Sequence, residues 1–213
     1  MRTIEDRFTL NMKDWVKDAE LFGDKNIAHT DRYGEIGYPE ASAPAVSLLS
    51  RAERFMANNY GMPLVPFDME MTLNYPAFAG DYICRQNYSD ENGRTHVEFE
   101  HSRDGIVASI LLENYDGTNQ MGNGRPKLVS YNFGQFIGHF FGHEGRLGAV
   151  LGSVNIKFYE TPEPSTLDVR LKVDRHDKGG GRIREYLVNG FGNRGSRRII
   201  EIDSAKFVHK VIQ

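Results

Sequence analysis

Apolar residues in the first sixty positions recur with a period near that of a helix. In the run NMKDWVKDAELFG, starting at Asn11, the side chains of Trp15, Val16, Ala19 and Phe22 share one side. Asn11 can cap its start and Gly23 its end. Residues 24–42 are polar, punctuated by glycine and without clear periodicity. A second helix is predicted from Pro44, with Val46, Leu49, Ala52, Phe55 and Met56 on a broad apolar face and Tyr60-Gly61 at its close. The period then drops to two. Val65, Phe67, Met69, Met71 and Leu73 alternate with polar or turn-forming neighbours, the pattern of a half-buried strand. Residues 76–80 are a break, 81–88, 94–103 and 106–115 are strand candidates, and Asp104-Gly105 is a hairpin signal. Residues 1–116 thus read as helix, loop, helix and four antiparallel strands.

The stretch DGTNQMGNGRP, 116–126, has linker composition. The order then recurs. Residues 130–148 carry Phe133, Phe136, Ile137, Phe140 and Phe141 at helical spacing, and strands are predicted over 150–160, 167–174, 182–188 and 197–202, with a tail to 211. The run from Met71 through Pro76 resembles the run from Ile156 through Pro162, which points to a duplicated helix-plus-sheet unit.

Composition narrows the function classes. The chain has 213 residues, enough to bury a core without covalent staples, and its one cysteine, Cys84, excludes an intramolecular disulfide or a multi-cysteine zinc site. Lys and Arg number 26 against 29 Asp and Glu, a formal net charge of −3, so there is no basic footprint for nucleic acid. No apolar run approaches the roughly 20 residues of a membrane span. The opening MRTIEDRFTL lacks the apolar stretch of a secretory signal. The expectation is a soluble cytoplasmic protein.

One stretch ahead of the second helix carries chemistry: Gly23-Asp24-Lys25-Asn26-Ile27-Ala28-His29-Thr30-Asp31. It resembles the G-D-x-N-x-x-H-x-D pattern of the MaoC-like hydratase/dehydratase family, and Tyr75-Pro76-Ala77-Phe78-Ala79-Gly80-Asp81 between the first long strands resembles the family's hot-dog fold. The resemblance covers residues 8–116. It implies an α+β double hot dog, two antiparallel sheets each wrapped around a central helix and joined into one curved sheet. Residues 1–117 would form the N-terminal hot dog with the catalytic loop, 118–126 the linker, and 127–213 a C-terminal degenerate hot dog without the motif. Two positions depart from the family, Ile27 where proline is usual and Ala45 where glycine is usual.

Hydrating a trans-2-enoyl thioester, or dehydrating the (R)-3-hydroxyacyl thioester, needs a base, an acid and a site for the enolate-like oxygen. The resemblance implies Asp24 and His29 as the acid/base pair, with Asn26 orienting the water or the loop. Backbone N–H groups at Ala45 and Val46 would hold the oxyanion, and Gly23 and Asp31 would support the loop. No metal or redox cofactor is required, since the substrate arrives as a coenzyme A or phosphopantetheine thioester. An acyl carrier protein and a homodimeric mate are the partners it suggests; nucleic acid and membrane are not.

Other features stand beside this reading. Phe133, Phe136, His139 and Phe140 are candidates for the acyl-pocket wall, or for core alone. His139 and His143, four apart, could face one side of a helix as metal ligands, but no third ligand is suitably spaced. Arg194, Arg197 and Arg198 could meet phosphates or an acidic carrier, or form a solvated charge run. Glu53 on the second helix is the carboxylate that a hot-dog thioesterase would use. A non-catalytic acyl- or carrier-binding subunit and a tailoring enzyme such as a cyclase remain alternative functions.

Overall fold

The computed structural model describes residues 4–60, 67–87, 94–113, 129–143, 148–160 and 165–210. The linker 116–126 and the turn 89–93 lie outside these residues. Among the described residues three α-helices form: α1 (Met12–Phe22), α2 (Ala45–Tyr60) and α3 (Val129–Phe141). Helix α1 stops where expected. Gly23 adopts φ 65°, and its N–H turns back to the carbonyls of Ala19 and Glu20. Helix α3 is shorter than the predicted 130–148, ending one residue before Gly142.

Strands β1 (Ile4–Leu10), β3 (Phe67–Leu73), β5 (Gly80–Asn87), β6 (Thr95–His101), β7 (Gly105–Glu113), β8 (Val150–Phe158), β9 (Asp168–Lys178), β10 (Ile183–Arg194) and β11 (Arg197–Lys210) form one sheet, beside a short pair of β2 (Ser42–Ala43) and β4 (Ala77–Phe78). The large sheet has the order β1-β5-β6-β7-β3-β8-β11-β10-β9, with antiparallel neighbours throughout. Outward from the centre, β3, β7, β6, β5 on one side repeat the order of β8, β11, β10, β9 on the other. The halves join through β3 and β8, where Met69 faces Ile156 and Met71 faces Val154. Helices α2 and α3 lie side by side on one face of the sheet, and Leu48, Phe55, Met71, Phe99, Ile110, Phe133, Phe136 and Phe158 fill the space between with almost no exposure. This is the double-hot-dog arrangement.

Three departures have local causes. Strand β1, which the hydrophobic pattern did not predict, pairs with β5 along its whole length. Its alternation is hidden by charge, but Phe8 stacks on Tyr82 at 5.4 Å and Leu10 is buried. Strand β10 runs past the predicted end at 188, through Gly190 and Gly192 to Arg194. A Cβ on Gly190 would fall 2.2 Å from the Arg170 carbonyl oxygen, so glycine permits close strand approach there. Strand β11 continues past Ile202 to Lys210 across two register shifts, which keep the long strand paired with both neighbours.

Helix α1 reaches α3 through a pair of glycines one turn apart. A Cβ on Gly134 would strike the Phe22 ring at 2.5 Å, and one on Gly138 would lie 1.8 Å from the Phe22 carbonyl oxygen. The missing side chains let the end of α1 settle on α3. That contact fixes the starting point of the loop carrying Asp24.

Candidate active site

The loop after α1 is built from side chains that hold their own backbone. Asp24 N–H donates to the Ala19 carbonyl at 2.9 Å, and Asp24 Oδ1 accepts from Asn26 N–H at 2.9 Å. Asn26 caps the short 3-10 turn Ile27–His29, its Oδ1 accepting from Ala28 N–H at 3.1 Å. The same oxygen accepts from Gly148 N–H at 2.9 Å, and Asn26 Nδ2 donates to the Ala149 carbonyl at 2.7 Å. Asn26 therefore ties the loop to the segment entering β8, in the other half of the chain. Trp15 Nε1 donates to the His29 carbonyl at 3.3 Å. A second 3-10 turn, Asp31–Ile36, begins with exposed Asp31 and is capped by Thr30.

The hydrogen bonds also set the protonation pattern. His29 Nδ1 lies 2.6 Å from the Ser42 carbonyl oxygen, which can only accept, so Nδ1 carries the hydrogen. In the neutral ring Nε2 then holds a lone pair. It lies 3.3 Å from Asn26 Nδ2 and 3.5 Å from Asp24 Oδ2. Asp24 Oδ2 is buried without a hydrogen-bond partner. Burial pushes the Asp24 carboxyl up, against His29 and the Asn26 N–H, which pull it down. Burial pushes His29 down, against Asp24 and the Ser42 carbonyl. Each shift is toward the uncharged form of its group, and burial is the larger cause in both.

Asp24 and His29 share a cavity of about 210 Å³ with Asn26 and Ser42. Ala45, the first residue of α2, lies in its wall. The first turn of a helix leaves N–H groups without intrahelical partners, and those of Ala45 and Val46 belong to this turn. Val46 itself is buried and outside the lining. The rest of the wall is largely apolar, with Leu73, Pro76 and Ala77 beside Asn74 and Tyr75 on one side, Ile137 and Phe141 from α3, and Leu151 and Phe207 from the C-terminal strands. Ile27, at the family's proline position, opens the first 3-10 turn.

The structure distributes the remaining sequence candidates differently. Phe133, Phe136 and Phe140 are core side chains at 2% exposure or less, and His139 is exposed on the far side of α3. The side chains that α3 gives to the cavity are Ile137 and Phe141. Helix α3 ends two residues before His143, so the two histidines do not share a helical face. Among the described residues no three His, Cys, Asp or Glu side chains gather as a metal site. Arg194 donates to Ser165 Oγ, while Arg197 and Arg198 pair with Glu160 and Glu201. Burial lifts the Cys84 thiol to about 12. Glu53 accepts from Val129 N–H and from the N–H and hydroxyl of Ser130, capping α3, and it does not line the cavity. The partners Ser42, Gly148 and Ala149 act through backbone atoms, which leave no signature in side-chain type.

No protein-family model matches the sequence, and no curated protein matches it. Solved structures do. A full-length peroxisomal multifunctional enzyme type 2 from Drosophila melanogaster matches with a TM-score of 0.61 at 12% identity over 98% of this chain, which spans 48% of the fly chain. A MaoC-like dehydratase from Phytophthora capsici matches at 0.56 and 13% identity, over 98% of this chain and 95% of its own. A monomeric dehydratase domain from a trans-AT polyketide synthase split module matches at 0.59 and 9% identity, over 100% of both chains. Similar structures named as thioesterases and as a dehydratase-cyclase show that the fold does not by itself select the reaction. The chain has the hot-dog fold of the MaoC-like dehydratases.

Proposed function

We propose that the protein interconverts trans-2-enoyl and 3-hydroxyacyl thioesters, with Asp24 and His29 as the proton-transfer pair. The observation that carries this reading is the pairing of His29 Nε2 with an unpartnered Asp24 Oδ2 at 3.5 Å on the wall of a largely apolar cavity. In the dehydrating direction His29 Nε2 takes the α-proton. The electron pair passes onto the thioester oxygen, where N–H groups of Ala45 and Val46 at the start of α2 would stabilise it. The carbon–oxygen bond at C3 breaks as Asp24 gives its proton to the departing hydroxyl, releasing water and leaving the enoyl thioester. Hydration is the reverse. The directions of the two shifts, Asp24 up and His29 down, suit this direction, because one group must donate and the other accept. The (R) configuration follows from the family resemblance. Coenzyme A and a phosphopantetheine-bearing carrier protein are both chemically suitable holders of the thioester.

The position of Glu53 speaks against a thioesterase. Its carboxylate closes the N-terminus of α3 instead of facing the cavity. Incubation with crotonyl-coenzyme A separates the reactions. Formation of 3-hydroxybutanoyl-coenzyme A without free thiol supports the hydratase reading, whereas release of coenzyme A thiol at the turnover rate overturns it.

A further inference from the structure

The large sheet stays open, with β1 at one end and β9 at the other, and among the described residues nothing pairs with the outer edge of β9. An unpaired edge presents a row of N–H and C=O groups that a further strand can take up. Strand β9 offers eleven residues of it, Asp168–Lys178, without a proline to interrupt a ladder. One face of the strand turns inward through half-buried Val169, Leu171 and Val173, which pack against the core. The other face carries Asp168, Arg170, Lys172, Asp174, His176 and Lys178, all exposed.

A second copy of this strand fits the edge in one register. Two antiparallel copies are related by a twofold axis perpendicular to the sheet, so residues equidistant from the axis stand opposite each other and point to the same face. With the axis at Val173, Lys172 of each copy faces Asp174 of the other, Asp168 faces Lys178, and Arg170 faces His176. Val173 meets its own copy on the inner face. Every fixed charge that faces another then faces the opposite sign. Neighbouring positions of the axis lose this match. An axis at Lys172 opposes two lysines, one at Asp174 opposes two aspartates, and one at Leu171 sets Arg170 against Lys172. Like charges directly opposite each other are destabilising. Within one chain Lys172 Nζ lies 3.3 Å from Asp174 Oδ2, so the four charges beside the axis alternate in sign around a ring. The β1 edge lacks this pattern, because an axis at Glu5, Asp6 or Arg7 brings two like charges together.

We propose that the chain forms a twofold dimer by antiparallel pairing of β9 with the β9 of a second copy, centred on Val173, joining nine strands from each into one sheet. Eleven residues paired in this way offer about ten backbone hydrogen bonds between the copies. The mixed charges on the edge repel the neighbouring registers and admit this one.

The test is independent of the reaction proposed above. Sedimentation equilibrium is run on the native protein, Lys172→Asp, Asp174→Lys and the double variant, with circular dichroism and thermal unfolding as checks on folding. Both side chains are exposed, so each variant keeps the fold. The native protein sediments at twice the mass of one chain. Each single variant turns two symmetry-related pairs repulsive and raises the dissociation constant by about tenfold or more. The double variant exchanges the charges and restores dimerisation. An equimolar mixture of the two single variants also dimerises, because a chain acidic at both positions meets one basic at both. A native protein that sediments as a monomer overturns the proposal. A dimer that both single variants keep overturns the role of β9, and a loss that the double variant fails to restore overturns the register at Val173.

Discussion

The two halves of the sheet share one strand order and one helix each, but they divide the labour differently. The N-terminal half supplies the groups able to move protons, Asp24 and His29, on a loop ahead of α2. The sequence ahead of α3, residues 114–128, contains no histidine. What the C-terminal half gives the cavity is shape: Ile137 and Phe141 from α3, Leu151 and Phe207 from β8 and β11. It also gives the Gly148 N–H and Ala149 carbonyl that hold Asn26 in place. The C-terminal half shapes the cavity without lending it a titratable side chain, since a site needs walls and fixed backbone as well as polar groups.

This division can be broken at graded points. The largest expected effect is at the pair. Asp24→Asn and His29→Ala each lower kcat by about 10²–10⁴-fold, and the double variant falls little below the worse single one, because the two work as a unit. Additive losses in single-turnover kinetics would mean independent roles. Next is the glycine contact that seats α1. Gly138→Ala places a methyl group against the Phe22 carbonyl oxygen, with an expected stability loss of about 1–3 kcal/mol in denaturant titration and a fall in activity from displacement of Asp24. Unchanged stability would show that α1 can move without consequence.

Asn26→Ala tests the link between the halves. It removes the acceptor for two N–H groups, Ala28 and Gly148, and the donor to Ala149. The expected cost is about 1–3 kcal/mol, read as a lowered midpoint of unfolding, together with a reduced kcat at little-changed KM. A rise in KM alone would place Asn26 in substrate binding instead.

The smallest effect is a pH dependence. Burial lifts the Glu53 carboxyl to about 7, above its unfolded value, despite hydrogen bonds from Ser130 and Val129. The folded state thus binds the proton more tightly, and this contribution to stability is full below the unfolded value and lost as pH rises through about 7. The melting temperature of Glu53→Gln should therefore improve relative to native from pH 5 to 8, a range spanning about the shifted pKa. A constant gap between the two proteins across that range would contradict the shift.

Much of this was legible in the sequence where one local rule decides the outcome. Gly23 ends α1, Pro44 precedes α2, Asp104-Gly105 turns a hairpin with φ 74° at Gly105, and Asp24, Asn26 and His29 meet around one point. What escaped depends on distant partners. Strand β1 is stabilised by pairing with β5 and by one stacked ring, neither visible in a charged heptamer. The pocket wall was a matter of helical phase. Phe133, Phe136 and Phe140 face the core, whereas Ile137 and Phe141, one turn apart, form the adjacent strip that reaches the cavity. Gly134 and Gly138, which helical periodicity alone does not single out, are the seat of α1. The clamp on Asn26 is made of backbone atoms more than a hundred residues away.

The central claim is that the Asp24–His29 pair performs proton transfer on an enoyl thioester. The most direct measurement is the loss of enoyl absorbance with crotonyl-coenzyme A, and with the carrier-bound crotonyl group, for the native protein beside His29→Ala of matched circular dichroism. The account predicts turnover by the native protein and a fall of about 10²–10⁴-fold in the variant. Equal rates in the two proteins, or a native protein inert on both forms of the substrate, would contradict it.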